Sequence, residues 1–433
     1  MRQVYLLLVV CICTVSVGFG QQILTLEKAI NTALQKNFDI QIAKNAVELN
    51  TVNNHIGVAG GLPTITGTIT DQESVVNINQ QLNTGTKIQR NGAASNNLNG
   101  NVTATMLLYN GYRVVTIKKR LEALQQLSEQ QLNAQIQNTV ATVMLRYFDV
   151  VRQTSYLKTT LQSIDVSKKR LEIIDTRKSV GLANDADVFQ AQIDVNTRLQ
   201  DYQAQELVLK QATVALLASM NVNTDSSVVI KDTIVVDRRV ALDSVLKFVQ
   251  QNPEVLAAKQ QVVINELLEK ETAALRQPSV RANLGTNYNR NQSTGGQLLL
   301  NQSYGPFVSV GVGLPLYNGG AFKRQQKTAA INTQTANLQK DRLLQDFSAT
   351  IVRTYEAYKN TLQQIETQQL TFTLSQQLVN LTLQRFQLAQ ATIVEVREAQ
   401  RSFEEAGYRL INLSYAAKLA EIELKRLSSK LQF

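Results

Sequence analysis

Residues 112–180 read YRVVTIKKRLEALQQLSEQQLNAQIQNTVATVMLRYFDVVRQTSYLKTTLQSIDVSKKRLEIIDTRKSV, without a single Pro or Gly. The apolar residues fall at alternating steps of three and four: Ile136, Val140, Val143, Tyr147, Val150, Leu157, Leu161 and Ile164, with Thr154 at the one polar step. A period of 3.5 marks a helix packed along its length against another helix in a left-handed supercoil. At 1.5 Å per residue such a helix is roughly 100 Å long, far beyond what a globular core requires.

Working outward, the chain repeats itself at about half its length. Leu24-Thr25-Leu26-Glu27-Lys28-Ala29-Ile30 is answered by Val240-Ala241-Leu242-Asp243-Ser244-Val245-Leu246. Asn37 matches Asn252, and Leu62-Pro63-Thr64-Ile65-Thr66 matches Gln277-Pro278-Ser279-Val280-Arg281. Tyr109-Asn110-Gly111 matches Tyr317-Asn318-Gly319. The seam residues Val143, Tyr147, Val150 and Leu157 match Ile351, Tyr355, Tyr358 and Ile365. The expected organisation is a leader at 1–20, a first repeat at 21–222, a junction at 223–239 and a second repeat at 240–433.

Within the first repeat the pattern predicts a helix over 25–58, closed by Gly57, Gly60-Gly61 and Pro63. A strand follows at 64–70, with Thr64, Thr66, Thr68 and Thr70 on one face. The Asn-rich stretch 75–99 has little from which to build a core and reads as a loop. A second strand at 101–109 leads into the long helix, and 184–220 forms the return helix. The second repeat predicts a helix at 241–276, strands at 279–288 and 307–316 around a loop at 289–304, a long helix at 321–388 and a return helix at 392–430. In the strand at 307–316, Val308, Val310, Val312, Leu314 and Leu316 share one face. Residues 227–236 read as a short strand at the junction.

Composition narrows the function. Arg2, an apolar run from Val4 to Val17 and Gly18-Phe19-Gly20 form a targeting segment, cleaved before Gln21. Cys11 and Cys13 both lie inside it, and neither Val10 nor Ile12 is the small residue that acylation of a following cysteine requires. The mature chain is therefore expected to hold no disulfide and no thiolate site. The single histidine, His55, cannot build a multi-histidine metal site. No phosphate loop, dinucleotide-binding glycine pattern or nucleophile elbow is present. The chain reads as a non-enzyme without cofactor or metal. Its net charge of +10 is spread in short runs such as Lys168-Lys169-Arg170, not gathered into the concentrated patch that nucleic acid requires.

Two arithmetic points constrain the assembly. Each repeat carries two strands of membrane-crossing length, so one chain carries four. Four strands cannot close a barrel, a lipid-exposed open edge is not tolerated, and the smallest membrane barrels have about eight strands. Several chains must then share one barrel. The long helix is also about twice the length of its return helix. The remaining groove fits the helix at 25–58, stacked end to end with 184–220, and in the second repeat 241–276 stacks with 392–430.

This order of elements, duplicated, with a Tyr-Asn-Gly-Gly turn at 317–320 opening the second long helix, resembles the TolC family of outer-membrane efflux proteins. The resemblance covers the whole mature chain. It implies a mainly α fold with membrane β: a homotrimer whose tandem helical hairpins form an α-barrel across the periplasm, continued by a twelve-stranded β-barrel in the outer membrane. It also implies a passive exit duct for small molecules or proteins, in a tripartite efflux or type I secretion system. The partners are a periplasmic adaptor, an inner-membrane pump and outer-membrane lipid. A pore-less periplasmic coiled-coil scaffold is the competing reading; it leaves the paired strands and the duplication unexplained.

In the family the helix tips close the periplasmic end with acidic residues around the constriction. The corresponding segments here are 181–188 and 389–396. Glu395 and Glu398 align with that acidic ring, Asp187 takes the place of Glu395 in the first repeat, and Asp185 lies beside it. Threefold carboxylate rings favour cations; the same acids also suit the first turn of a helix, where the dipole favours negative charge. Phe386 falls where an aromatic lock would lie, and equally suits the apolar seam. The second tip departs from the family: Ala389-Gln390-Ala391 replaces the glycine turn, and the family's tip arginine falls at Ala391. The adaptor is expected at Arg177, Lys178, Gly181, Leu182 and Ala183, and at Gln384, Arg385, Gln387 and Leu388.

Overall fold

A computed structural model describes residues 22–295 and 298–431; the expected leader with Cys11 and Cys13 lies outside the described residues. In chain order the elements are β1 (Gln22–Ile23), α1 (Leu26–Lys36), α2 (Phe38–Asn53), β2 (Thr64–Gln81), β3 (Lys87–Tyr109), α3 (Arg113–Ser179), α4 (Asp185–Ser219) and β4 (Val228–Val229). There follow α5 (Leu242–Phe248), a 3-10 turn at Val249–Gln251, α6 (Pro253–Ala274), β5 (Ser279–Ser293), β6 (Leu300–Gly313), α7 (Ala321–Gln387) and α8 (Ile393–Leu427). The two long helices, α3 and α7, have 67 residues each and the two return helices 35 each, so the 3.5-residue period is realised as single uninterrupted helices.

By contacts the chain divides into two compact units that cut across the repeats. One holds residues up to Lys44, Gln131–Val255 and Leu343–Phe433; the other holds Asn45–Gln130 and Leu256–Arg342. In the first unit the predicted seam of α3 is the core. Val140, Val143, Tyr147 and Val150 are buried against Ala29, Ile30 and Ala33 of α1 and Leu216, Leu217 and Met220 at the end of α4. The second repeat builds the same cluster from Ile351 and Tyr358 of α7, Val245 of α5, Val249, and Leu424 and Leu427 of α8. The phenol of Tyr147 donates toward Asp232 at 2.5 Å and the carbonyl of Leu24 at 3.1 Å.

The helices predicted at 25–58 and 241–276 are each broken, at Asn37 and Asn252. The side chain of Asn37 accepts from the backbone N–H of Asp39 and Ile40, capping α2, while its amide donates to the carbonyl of Ser219, the last residue of α4. Asn252 accepts from the N–H of Glu254 and donates to the carbonyls of Arg426 and Leu427, at the end of α8. One asparagine thus joins an orphan C-terminus to an orphan N-terminus. It puts the end-to-end stacking into atomic form, and it explains why this residue marks both repeats. At the junction the predicted strand over 227–236 shrinks to Val228–Val229, which pairs in parallel with Gln22–Ile23.

In the second unit a single antiparallel sheet has the order β2-β3-β5-β6, so β2 and β6 are its open edges. Val308, Val310 and Val312 on β6 and Ile65 and Ile69 on β2 are all exposed. In water each such valine forgoes about 1.5 kcal/mol or more of burial, and within one chain this apolar face has no partner among the described residues. The Asn-rich stretches 75–99 and 289–304, expected as loops, are largely strand. Register runs unbroken from Thr64↔Thr105 to Val76↔Ala93 and from Ser279↔Gly313 to Gln292↔Leu300. No core is required, because polar cross-strand pairs lie over the backbone ladder. Examples are Asn96 to Asp71 and Glu73, each at 2.7 Å, and Ser74 with Ser95 at 2.7 Å. Gly111, which opens α3, has φ +67°, and a Cβ there would meet the Gln277 side chain at 2.5 Å; no other residue suits that turn.

Candidate functional site

The two hairpin reversals both lie in the first unit. The turn after α3 closes with Leu182 N–H on the Arg177 carbonyl and Gly181 N–H on the Lys178 carbonyl, Gly181 taking φ +74°. This is the Schellman pattern. The turn after α7 copies it without a glycine: Gln390 N–H reaches the Arg385 carbonyl, Ala389 N–H the Phe386 carbonyl, and Ala389 takes φ +62°. The Arg385 guanidinium adds a bond to the Gln390 carbonyl at 2.9 Å. The departure seen in the sequence therefore changes the residue and leaves the turn intact.

Each return helix opens with a capping box. Asn184 accepts from Asp187 N–H while the Asp187 carboxylate accepts from Asn184 N–H. Thr392 and Glu395 repeat the exchange, with Thr392 N–H on the Glu395 carboxylate at 2.6 Å. The bond from the Thr392 backbone, then that from its hydroxyl, holds the Glu395 carboxyl below the usual glutamate value. Asp185 pairs with Lys178 across the turn. Glu398 stands one turn further along α8, beside Arg397 and Arg401.

Phe386 is 3% exposed, packed with Ile174, Val188, Ala191 and Val396. Arg177 of α3 lies over its ring at 4.3 Å and donates to its carbonyl, so the two hairpins are tied just short of their turns. Leu182, Leu388 and Val394 are exposed, while Ala183 packs against the Phe386 cluster.

A family profile described as outer membrane efflux protein matches residues 29–222 and 247–429. The chain belongs to the outer membrane efflux protein family. Solved structures agree in fold. The Campylobacter jejuni CmeC outer membrane channel is 15% identical with a TM-score of 0.77, over 94% of this chain and 87% of that one. Vibrio cholerae VceC is 16% identical with a TM-score of 0.73, over 93% and 95%. The open state of the Neisseria gonorrhoeae MtrE outer membrane channel is 18% identical with a TM-score of 0.72, over 94% and 89%. A search of curated proteins gives no match.

The protein is an outer-membrane efflux channel of the TolC-like type, extending into the periplasm, and its family is one of channels. No helix among the described residues is long and apolar enough to cross a membrane. In this efflux protein Phe386 and Ala183 pack in the seam cluster and Glu398 takes no part in either turn, while the other tip residues read from the sequence fall into two groups. Glu395, Asp187, Asp185, Arg385 and Gly181 are engaged in shaping the turns; Leu182 and Leu388 present apolar surface.

What the sequence reading missed is a buried polar seam a few turns above. Ser163, Ser167 and Arg170, each 1% exposed, continue along α3 at heptad spacing beside the apolar seam. Gln400 of α8 donates to the Ser163 carbonyl at 3.1 Å and the Ser167 hydroxyl at 2.9 Å, and Ser163 also bonds Glu404. The spacing was the available signal; polar residue types hid it.

Proposed function

We propose that three copies of this chain close one channel, each contributing four strands to a twelve-stranded barrel and two helical hairpins to a periplasmic duct. The observation that carries this is the sheet: four strands, two open edges and an exposed apolar face. In lipid, unpaired edge groups have no water to bind, so closure by further copies is the physical requirement. Exposed Leu370, Leu374, Leu378 and Leu381 at steps of three and four along α7, with exposed Leu388 just past its end, supply a second unpartnered stripe. The repeats at 21–222 and 240–433, joined at 223–239, are the two halves that each copy brings.

The duct is passive, steric and electrostatic, and exports small molecules or proteins handed on by an inner-membrane pump through a periplasmic adaptor. Leu182, Ala183 and Leu388, with the backs of Gly181 and Arg385, form the adaptor-facing surface at the tips. Glu395 and Glu398, with Asp187 and Asp185, form the acidic mouth, and Phe386 is the seam on which it closes. The lowered pKa of Glu395 keeps that carboxylate ionised through the neutral range.

The test is single-channel conductance of the purified mature protein in a planar bilayer, wild type against Glu395→Gln with Glu398→Gln. A trimeric particle with a cation-preferring conductance that loses its preference in the variant is expected. An unchanged preference removes the acidic mouth and keeps the duct; a folded, monomeric, non-inserting protein overturns the channel assembly itself.

A further inference from the structure

Above the tips, a cleft of about 480 Å³ opens in the first unit between α3, α4 and the first turns of α8. Four guanidiniums line it, Arg170, Arg198, Arg397 and Arg401, against two carboxylates, Asp194 and Glu398. We propose that this cleft is a binding site for a small oxyanion, a phosphate, sulfate or carboxylate group, with Arg170 at its base and Arg397 at its mouth.

The decisive group is Arg170. It is 1% exposed, and its Nε is buried without a hydrogen-bond partner among the described residues. Arg113 and Arg152 share an unpartnered Nε, but their side chains are 40% and 26% exposed and reach water elsewhere. Arg170 has no such outlet. Its only carboxylate partner among the described residues is Asp194, at 2.5 Å, and that carboxylate also serves Arg397 at 3.5 Å and the Gln190 amide at 3.0 Å. Gln400 Oε1 lies at 3.5 Å, at the limit of a bond.

The remaining acids do not close the deficit. Glu404, behind the wall, takes Arg198 at 3.3 Å and is also bonded by Ser163 and Gln400. Asp201 and Glu405 hold Arg198 and Arg401 from the solvent side, where ion pairs are weak and screened. Glu398 forms no ion pair of its own among the described residues. At Arg170 the local field agrees: burial lowers its pKa first, Asp194 opposes, and the charges of Arg397 and Arg198 lower it further. A guanidinium that always carries its charge, held out of water and short of one acceptor, recruits an anion. Ser167 and Thr197 add hydroxyl donors to the lining.

The test is calorimetric titration of the detergent-solubilised full-length protein with inorganic phosphate, and separately with acetate, at constant ionic strength set by chloride. Saturable binding of phosphate is expected, with acetate weaker if the group is tetrahedral and equal or stronger if it is a carboxylate. Arg397→Gln, at a half-exposed position, is expected to weaken binding about tenfold, as for loss of one charge-assisted bond. Glu398→Gln is expected to tighten it about threefold. Arg170→Met should abolish binding; the two surface variants carry the test if it does not fold. No saturable signal above chloride, or an Arg397→Gln affinity equal to wild type, overturns the site.

Discussion

Ala389 holds a left-handed backbone conformation at the second tip that its counterpart Gly181 adopts without strain. For an L residue that conformation costs roughly 1–2 kcal/mol, partly offset because alanine restricts the unfolded chain more than glycine does. Ala389→Gly is therefore expected to slow local opening of the second turn, and Gly181→Ala to speed opening of the first by several-fold, both read as amide exchange at 178–184 and 386–392. Glu395 makes a pH prediction. Its folded-state value lies below the ordinary 4.5 because Thr392 donates to it, so its stabilising share is complete above 4.5 and is lost as pH falls through the lower folded value. Exchange at the start of α8 should differ between wild type and Glu395→Gln at neutral pH, and the difference should vanish in acid. The first turn was legible from Gly181, while the second read only as a departure at Ala389-Gln390-Ala391; the capping boxes were legible as acids in a first turn. The oxyanion cleft was not, because an arginine at a seam position shows its deficit only when the partners on α4 and α8 are in place.

Among the elements, the two asparagine joints carry the largest single-residue effects. Asn252 is 2% exposed and bonds the end of α8 and the start of α6. Asn252→Ala leaves buried carbonyls and an N-terminus unsatisfied, and should cost about 2 kcal/mol. Asn252→Asp keeps the cap on α6 but places a carboxylate against the carbonyls of Arg426 and Leu427, and should be no better than alanine. Asn37→Ala, at a more open site, should cost about 1 kcal/mol, and the two losses should add. Thermal unfolding of the three variants and the double mutant checks this. A continuous heptad made the 67-residue helices readable to within two residues. The breaks at 37 and 252 were missed although Asn252-Pro253 is a cap followed by a first-turn proline, because apolar spacing continues through both. The strands were underestimated for the opposite reason: hydrophobic alternation stops at the Asn-rich stretches, while the backbone ladder continues.

For the whole molecule, the exposed apolar face of β6 makes the sharpest prediction. Val310 faces out of the sheet beside Ser309, which points to the other face and accepts from Asn283 at 3.2 Å. Val310→Lys should cost about 2–4 kcal/mol of insertion if the residue sits at mid-bilayer and should deplete the protein from outer-membrane fractions. Ser309→Lys, directed to the polar face, should leave the amount unchanged. By itself the sequence determined the repeat order, the long coiled helices, the paired strands and the family, because periodicity and repeat order are one-dimensional properties. Tertiary structure alone decided the lengths of the strands, the helix joints at Asn37 and Asn252, and the charge deficit around Arg170. Each of those depends on which groups from distant segments share a hydrogen bond, and spacing along one chain does not record that.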